Sequence, residues 1–317
     1  MTRRRGRSGR GVCVRSRSVI TRRRVLIGAG AAAGAGVAGA AAIGATGHVP
    51  SRAAIDRRLG RCSPPVAEPR AAAGPLVTGH FASAKLRRDA SWTIAYPPGH
   101  QPGDRLRVML LLHGAGWGQR GWFAAMRFHR HLADAVAAGA PPIALAAADG
   151  GPLFWHPRAG GADPLGMLTG EFLPLLARHG LLVPAAPSAP VPPGRRIAVL
   201  GCSMGGYGAL LLAETWPGLC AGVFASSPAV WDTDPGGGAF DSAADFARHN
   251  VLARASALRG QQVRIWCGAS DPLRHAARQL AGRVPAATLR ISEGCHDPVF
   301  WEHLAPEQLR LAATALA

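Results

Sequence analysis

The segment that decides the fold reads Ile197-Ala198-Val199-Leu200-Gly201-Cys202-Ser203-Met204-Gly205-Gly206. Its first four residues are apolar and predict a buried strand, and residues 205–215 predict a helix. Between them, residues 201–205 have the form G-x-S-x-G, which places a serine on a sharp turn from strand to helix. Gly201 and Gly205 avoid side-chain clashes across this turn. We therefore predict that Ser203 is a catalytic nucleophile.

Strand and helix patterns alternate from about residue 76 onward. Strands are predicted at 80–84, 92–96, 106–112, 143–148, 197–200, 222–225, 263–267 and 288–292. Helices are predicted at 122–136, 165–178, 205–215, 274–280 and from about residue 300. This alternation is typical of an α/β fold with a mostly parallel central sheet and helices on both faces. The first two strands are expected to pair antiparallel at one edge, and residues 232–256 are expected to contain irregular structure.

A catalytic serine needs a base that takes its proton, and an acid that orients the base. Asp271 follows the predicted strand 263–267, and His296 follows the predicted strand 288–292. The carboxyl ends of parallel strands meet at one edge of a sheet, so both residues are expected beside Ser203. Asp297 and Asp241 are the alternative acids, and a helix cap is the structural alternative for Asp271.

Backbone amides that bind a developing oxyanion are expected at two places. One is Met204, the first residue after the serine. The other is Ala115, with Gly116 as an alternative, in the glycine-rich turn after the strand 106–112. His113 at the start of that turn is interpreted as structural.

Aromatic, histidine and cysteine residues give weaker signals. Four aromatic residues are candidates for lining a substrate pocket, with ordinary packing as the alternative: Trp155, Trp231, Phe300 and Trp301. His129 and His131 lie near no acidic cluster and no nucleotide-binding motif has the right setting, so we expect neither a metal nor a cofactor. Cys267 and Cys295 follow neighbouring predicted strands and are expected to form either a disulfide or two buried thiols.

Positive charge is concentrated at the N-terminus. The formal net charge is +18, but ten arginines and no acid lie in residues 1–24. The rest of the chain has 26 basic and 18 acidic residues, a net charge of +8. A nucleic-acid partner is therefore not expected, because the excess charge belongs to a leader rather than to a surface of the fold.

The leader has the pattern of an export signal. Thr21-Arg22-Arg23-Arg24-Val25-Leu26 runs into an uncharged segment rich in alanine and glycine, 25–45. The pattern is similar to a twin-arginine signal, and the alternative is a retained membrane anchor. We expect a signal or anchor at 1–47, a linker at 48–75 and a catalytic domain at 76–317, with export to the cell envelope or beyond.

Several motifs together resemble a known family. They are Ala95-Tyr96-Pro97-Pro98-Gly99, Leu111-Leu112-His113-Gly114, Glu171-Phe172-Leu173-Pro174, Gly201-Cys202-Ser203-Met204-Gly205-Gly206, Ser227-Pro228-Ala229-Val230-Trp231 and His296-Asp297-Pro298-Val299-Phe300-Trp301. Residues 76–317 are similar to the Putative esterase branch of the α/β hydrolases, which includes esterase D (S-formylglutathione hydrolase) and the mycobacterial mycolyltransferases of the antigen-eighty-five type.

The resemblance implies an α/β-hydrolase fold and a serine carboxylic-ester hydrolase that acts on a small-molecule or lipid ester. It assigns Ser203, Asp271 and His296 to the triad, and Met204 and Ala115 to the oxyanion hole. An acyltransferase with the same triad is the alternative, and a non-catalytic envelope protein is a third hypothesis. The mycolyltransferases usually have a different acidic residue in the triad, so Asp271-Pro272 favours an ordinary esterase.

Overall fold

The structure, a computed structural model, describes residues 55–56, 58–62, 64–184, 186–187 and 190–317. The predicted leader at 1–47, with the candidate anchor at 25–45, lies outside the described residues, as does the first part of the predicted linker. Within the described ranges, no helix combines the length and the apolar character needed to cross a bilayer.

One sheet forms the centre of the described chain. Its eight strands are β1 (Leu76–Ser83), β2 (Arg88–Ala95), β3 (Arg107–Leu112), β4 (Ile143–Ala148), β5 (Ile197–Cys202), β6 (Cys220–Ser226), β7 (Val263–Gly268) and β8 (Thr288–Ser292). Their order is β1-β2-β4-β3-β5-β6-β7-β8. β1 and β2 pair antiparallel, as does β2 with β4, and all other neighbours are parallel. The predicted sheet and its antiparallel edge are confirmed.

Helices connect most of the strands. They are α1 (Gly121–Ala124), α2 (Phe128–Ala137), α3 (the consecutive stretches Pro164–Met167, Leu168–Phe172 and Leu173–Arg178), α4 (Met204–Thr215), α5 (Ala243–His249), α6 (Arg274–Arg283), α7 (Pro298–His303) and α8 (Ala305–Leu316). The middle stretch of α3 is a π-helical turn. The segment 232–256, expected to contain irregular structure, also contains α5.

The predicted helix 122–136 is broken into α1 and α2. Arg127 between them has a φ of 48°, a left-handed conformation that cannot continue an α-helix. Its guanidinium group lies between two carboxylates, 2.6 Å from Glu68 and 2.6 Å from Glu302. The apolar periodicity of the segment gave no sign of this break, because the contacts come from distant parts of the chain.

The sheet separates two apolar clusters. Side chains of β3 alternate between them, since successive residues of a strand point to opposite faces. Val108 and Leu110 belong to one cluster with side chains of α3, α4 and α6. Met109 and Leu111 belong to the other with side chains of α2 and α8. The helices therefore cover both faces of the sheet, and the α/β-hydrolase architecture is confirmed.

The strand order of the sheet reverses between β3 and β5. The chain goes from β3 to β4 on one side and then returns to place β5 on the other side of β3. In such sheets, ligands bind beyond the carboxyl ends of the strands at the point where the order reverses. Ser203 follows β5 directly, and His113 follows β3 directly.

Candidate active site

Ser203 lies on a strained turn between β5 and α4. Its φ is 55° and its ψ is −118°, a conformation that costs about 1–3 kcal/mol for a residue with a side chain. The turn is held on both sides, because the Ser203 amide donates to the Ser226 carbonyl (2.9 Å) and the Ser203 carbonyl accepts from the Ala229 amide (3.0 Å). These bonds offset the strain and keep the side chain at the edge of the sheet.

The two glycines that flank Ser203 are required by close backbone contacts. A Cβ atom on residue 201 would lie 1.9 Å from the carbonyl oxygen of Gly205. A Cβ atom on residue 205 would lie 1.8 Å from the carbonyl oxygen of Leu112. Both distances are far below van der Waals contact, so the predicted reason for these glycines is confirmed.

Ser203, His296 and Asp271 form one hydrogen-bonded chain. Nε2 of His296 lies 2.9 Å from Oγ of Ser203, and Nδ1 of His296 lies 2.9 Å from Oδ2 of Asp271. The Asp271 side chain is fully buried, whereas the His296 side chain keeps 26% of its surface exposed. The structure thus brings together the three residues that the motifs indicated, with the imidazole in the middle.

Asp271 is held by groups that the sequence did not indicate. Oδ1 of Asp271 accepts from the Leu273 amide (2.7 Å), and the hydroxyl of Ser227 lies near enough to help lower the pKa of the carboxyl group. Burial alone would raise the pKa of Asp271, but the His296 imidazole and these two donors hold it below its usual value. Burial raises the pKa of the neighbouring Cys267 thiol far above its usual range, so that thiol stays neutral beside the carboxylate.

Ser227 is a buried residue of the site for which no role was predicted from the sequence. It is fully buried at the end of β6 and has a φ of 49°, which is rare for a residue other than glycine. Its hydroxyl contacts Asp271 and accepts a hydrogen bond from Nε1 of Trp301 (3.2 Å). The only sequence signal was its place before Pro228 in the Ser227–Trp231 motif.

The alternative acids serve other purposes. Oδ1 of Asp297 accepts from the Phe300 amide (3.0 Å), so Asp297 is the N-terminal cap of α7. Asp241 pairs with the Arg158 guanidinium at 2.7 Å. Of the candidate acids, Asp271 is the one placed against the imidazole of His296.

The proposed oxyanion donors lie on the two sides of Ser203. Met204 is the first residue of α4, where backbone amides have no intrahelical partner. The turn after β3 approaches from the other side, since a Cβ atom on Gly114 would lie 3.5 Å from Cβ of Ser203. Ala115 is the next residue of that turn and is exposed.

His113 links the ends of two strands. It is almost fully buried, its Nδ1 lies 2.9 Å from the Gly114 carbonyl, and its Nε2 lies 3.1 Å from the Gly150 amide. Because Gly150 donates to Nε2, that nitrogen is an acceptor and Nδ1 carries the proton. The ring therefore joins the turn after β3 to the turn after β4.

Three of the four aromatic candidates are buried and support the site instead of lining it. Trp155 is 1% exposed, and its Nε1 donates to the His113 carbonyl (3.2 Å). Phe300 is 0% exposed. Trp301 is 6% exposed and packs its ring edge-on against His296, with the ring centres 5.1 Å apart. Their burial in the core favours ordinary packing, the alternative named above for these three residues.

Trp231 is the aromatic candidate that keeps exposed surface. It lies two residues after Ala229, whose amide contacts Ser203. Its ring packs against Phe154 at 5.8 Å between ring centres, and Phe154 is also only partly buried. Both rings also pack against Phe240, which contacts Phe246 of α5, so the pair belongs to an aromatic cluster next to that helix.

The disulfide of the structure is not the one considered from the sequence. Cys295 is bonded to Cys62, 233 residues earlier in the chain. Cys267 is a buried free thiol, as are Cys202 and Cys220. The pairing of Cys267 with Cys295 is therefore wrong. The cause is a contact from residues 55–62, a segment interpreted as part of a linker, whose position next to Cys295 no local pattern reveals.

The sequence matches the Putative esterase family over residues 83–293, about two thirds of the chain. The matched region contains Ser203 and Asp271 and ends three residues before His296. The chain belongs to the Putative esterase family. It is thus a carboxylic ester hydrolase of the α/β-hydrolase class, as the motifs predicted. A search of curated proteins finds no match to this esterase.

Several solved structures have the same fold and align with most of this esterase at low sequence identity. A ferulic acid esterase has a TM-score of 0.64 at 18% identity, covering 77% of this chain and 100% of its own. An S-formylglutathione hydrolase from Agrobacterium tumefaciens has a TM-score of 0.62 at 17% identity, covering 80% and 99%. MPT51 of Mycobacterium tuberculosis has a TM-score of 0.60 at 17% identity, covering 77% and 100%. These similarities show the fold.

Two clusters in the described part of this esterase have the residue types of a metal site, but in one of them, Cys62, Cys295 and Asp297, the two sulfur atoms are bonded to each other. The other cluster lies at α5. His156, Asp245 and His249 bring their potential ligand atoms within 4.8 Å of one another. Both nitrogens of His156, however, lie at hydrogen-bond distance from main-chain carbonyl oxygens, of Pro157 (2.9 Å) and Ala239 (3.0 Å). A neutral imidazole has one N–H group and can donate to one of these carbonyl oxygens, and the Arg158 guanidinium group lies 3.4 Å from Nε2. A cation bound here would therefore compete with a hydrogen bond and lie beside a positive charge. The cluster joins α5 to the loop after β4.

Proposed function

We propose that this esterase hydrolyses carboxylic esters through an acyl-enzyme on Ser203. The observation that carries the proposal is the continuous hydrogen-bonded chain from Ser203 Oγ through His296 to Asp271, with both links at 2.9 Å. A serine hydroxyl is a weak nucleophile, and this arrangement supplies a base at the distance needed to accept its proton.

In the first step, Oγ of Ser203 attacks the carbonyl carbon of the ester while Nε2 of His296 takes the hydroxyl proton. Asp271 is charged, because its pKa lies below the usual value. The carboxylate fixes the ring so that Nδ1 carries its proton, and it stabilises the imidazolium that forms. His296 then donates the proton to the leaving alcohol, which departs and leaves the acyl group on Ser203.

The negative charge on the carbonyl oxygen needs donors during this step. We assign them to the amides of Met204 and Ala115, of which the first also carries the partial positive charge of a helix N-terminus. In the second step, water gives a proton to His296 and attacks the acyl carbon. Ser203 regains its proton and the acid is released.

Transfer of the acyl group to a sugar or lipid hydroxyl uses the same residues and is the second candidate. The resemblance to mycolyltransferases suggests it, whereas the Asp271-Pro272 pair favours hydrolysis. The partly exposed pair Phe154 and Trp231 favours an ester with an apolar or aromatic portion beside Ser203.

We also propose that the protein is exported. The paired arginines before the segment 25–45 support this, and so does the Cys62–Cys295 disulfide, because disulfides persist mainly in oxidising compartments. Replacing Arg22 and Arg23 by lysine should retain the protein in the cytoplasm, as measured by fractionation of cells. Equal export of the two forms would contradict the twin-arginine assignment.

The enzymatic proposal is tested with a fluorophosphonate probe and short-chain nitrophenyl esters on the purified protein. We expect labelling and turnover by the wild type, and a loss of roughly 10⁴-fold or more in Ser203→Ala. Ser242→Ala is the matched control, since the Ser242 hydroxyl serves as the cap of α5, where it accepts from the Asp245 amide. Adding trehalose or glycerol and measuring acylated product separates transfer from hydrolysis. A wild type that is neither labelled nor active would overturn both candidates.

A further inference from the structure

The segment before β1 is fastened to both loops that carry the acid and the base. We call the described residues 55–56, 58–62 and 64–71 the strap. Asp56 of the strap accepts a hydrogen bond from the Ser270 hydroxyl, and Cys62 is bonded to Cys295. Ser270 immediately precedes Asp271, and Cys295 immediately precedes His296. Each of these two contacts is therefore made by a residue that directly precedes Asp271 or His296 in the chain.

The other end of the strap is fastened to two helices. The carboxylate of Asp134, in α2, accepts from the amides of Arg70 (3.0 Å) and Ala71 (2.6 Å). Nδ1 of His303, the last residue of α7, contacts the carbonyl oxygen of Pro65. The strap thus connects the two catalytic loops to helices that pack on the sheet, and it limits how far these loops can move from the sheet.

The two loops are also joined to each other. The Ser270 amide donates to the Gly294 carbonyl (3.0 Å), and the Ala269 amide donates to the Ser292 carbonyl (2.7 Å). Asp271 and His296 are therefore expected to move as a pair if the strap is released. The distance that would change is the one between the pair and Ser203, which belongs to a different turn. That distance, 2.9 Å between Nε2 of His296 and Oγ of Ser203, decides whether the proton can be transferred.

We propose that the strap is a positioning element of the active site, and that its Cys62–Cys295 disulfide makes the rate of the esterase depend on oxidation. This inference rests on the proposed function. Cys62, Cys295, Asp56 and Ser270 are positioning residues, because they act through His296 and Asp271 and touch no reacting atom. With the disulfide closed, His296 stays in reach of Ser203, and with the disulfide open the pair shifts and the chemical step slows.

The redox step is an ordinary exchange with a dithiol. The dithiol breaks the Sγ–Sγ bond, Cys62 and Cys295 each gain a proton and become thiols, and the dithiol is oxidised to its own disulfide. Both cysteines are buried, at 2% and 0% exposure, so direct reduction is expected to be slow. Cysteine variants therefore give a cleaner test than a reductant.

The test compares Cys62→Ala, Cys295→Ala and Asp56→Ala with Cys220→Ala in the full-length protein. Cys220 is a buried free thiol at the start of β6, at the end of the strand away from Ser203. Rates are measured well below the melting temperature of each variant, with circular dichroism to confirm folding. We expect kcat and the rate of fluorophosphonate labelling to fall about 10- to 100-fold in the two strap cysteine variants, with KM nearly unchanged. A smaller fall is expected for Asp56→Ala, and near wild-type rates for Asp56→Asn, which keeps an acceptor for Ser270.

The outcomes separate this inference from the proposed function. A wild type without labelling or turnover overturns the proposed function and this inference with it. An active wild type with a kcat for Cys62→Ala within about twofold of wild type overturns the inference alone. It is also overturned if the loss of rate follows the unfolded fraction, or if Cys220→Ala loses as much as Cys62→Ala. Incubation of the wild type with dithiothreitol should lower kcat as the two thiols appear, and unchanged kcat after complete reduction contradicts the proposal.

Discussion

Oδ2 of Asp271 lies 2.9 Å from Nδ1 of His296, and the two residues lie in the loops that follow the adjacent strands β7 and β8. The contact fixes which nitrogen of the imidazole carries the proton. Nε2, on the opposite side of the ring, is then the acceptor that faces Ser203. In the proposed mechanism, the position of this buried carboxylate thus sets the direction in which His296 accepts a proton.

Asp271→Asn should abolish most of the activity while leaving the fold intact. An asparagine can present its amide group to Nδ1 and favour the wrong tautomer of His296, so we expect kcat to fall by about 10³- to 10⁴-fold. The measurement is steady-state hydrolysis of a nitrophenyl ester. Asp241→Asn is the control, because Asp241 pairs with Arg158, and it should retain activity within a few-fold. Equal losses in both variants would reject Asp271 as the acid.

The lowered pKa of Asp271 predicts a dependence of stability on acid. The folded-state pKa lies below the unfolded value of 3.8, so the stabilising effect is complete above that value and is lost as the pH falls through the folded pKa. Wild type should therefore lose unfolding free energy more steeply below about pH 4 than Asp271→Asn, which has no proton to gain. Urea unfolding at a series of pH values tests this. Parallel curves for the two proteins would show that the pKa of Asp271 is not lowered.

Gly205→Ala should destabilise the protein severely. The added Cβ atom would meet the Leu112 carbonyl oxygen at 1.8 Å, where Leu112 belongs to the central strand β3 and Gly205 to the first turn of the buried helix α4. We expect a loss of at least about 3 kcal/mol of unfolding free energy, the upper end of ordinary overpacking, or no soluble protein. Gly282→Ala is the control, since Gly282 is an exposed residue of α6 with open space around it. That variant should gain about 0.5–1 kcal/mol through helix propensity. Similar stabilities for the two variants would contradict the geometry of the turn.

Trp231→Ala should weaken substrate binding more than the chemical step. The partly exposed indole offers the same surface to the substrate and to the transition state, so its removal should raise KM about tenfold for a long-chain or aromatic ester and change kcat little. For an acetyl ester the change should be small. Trp216→Ala, at the end of α4, is the control and should leave KM unchanged. A fall in kcat without a change in KM would assign Trp231 to the catalytic geometry instead.

The sequence was sufficient for those parts of the site that lie at strand ends. A short apolar strand followed by a polar residue defines a place in a parallel sheet, so Asp271 and His296 were expected beside Ser203 although 93 residues separate His296 from the serine. The glycines of the turn were predictable for the same reason, because a sharp change from strand to helix leaves no room for a Cβ atom.

The remaining features depend on contacts between distant segments. Arg127, at the break between α1 and α2, pairs with Glu68 and Glu302, which lie far away in the chain. Trp155 is buried in the core with a φ of 54° that no pattern in the neighbouring sequence predicts. Ser227 supports Asp271 from a strand end that carries no titratable residue. The partner of Cys62 could not be predicted, because nothing in the sequence of residues 48–75 indicates that this segment lies next to Cys295.

The bond between Cys62 and Cys295 has a consequence for how the protein is made. The ribosome synthesises Cys62 first, and 233 residues follow before its partner exists. A chain interrupted anywhere between them lacks the second sulfur, and the strap of such a chain has nothing to close upon. Closure of this bridge thus requires a chain synthesised at least as far as Cys295, and the electrophoretic mobility of the unreduced protein distinguishes closed from open chains during biosynthesis.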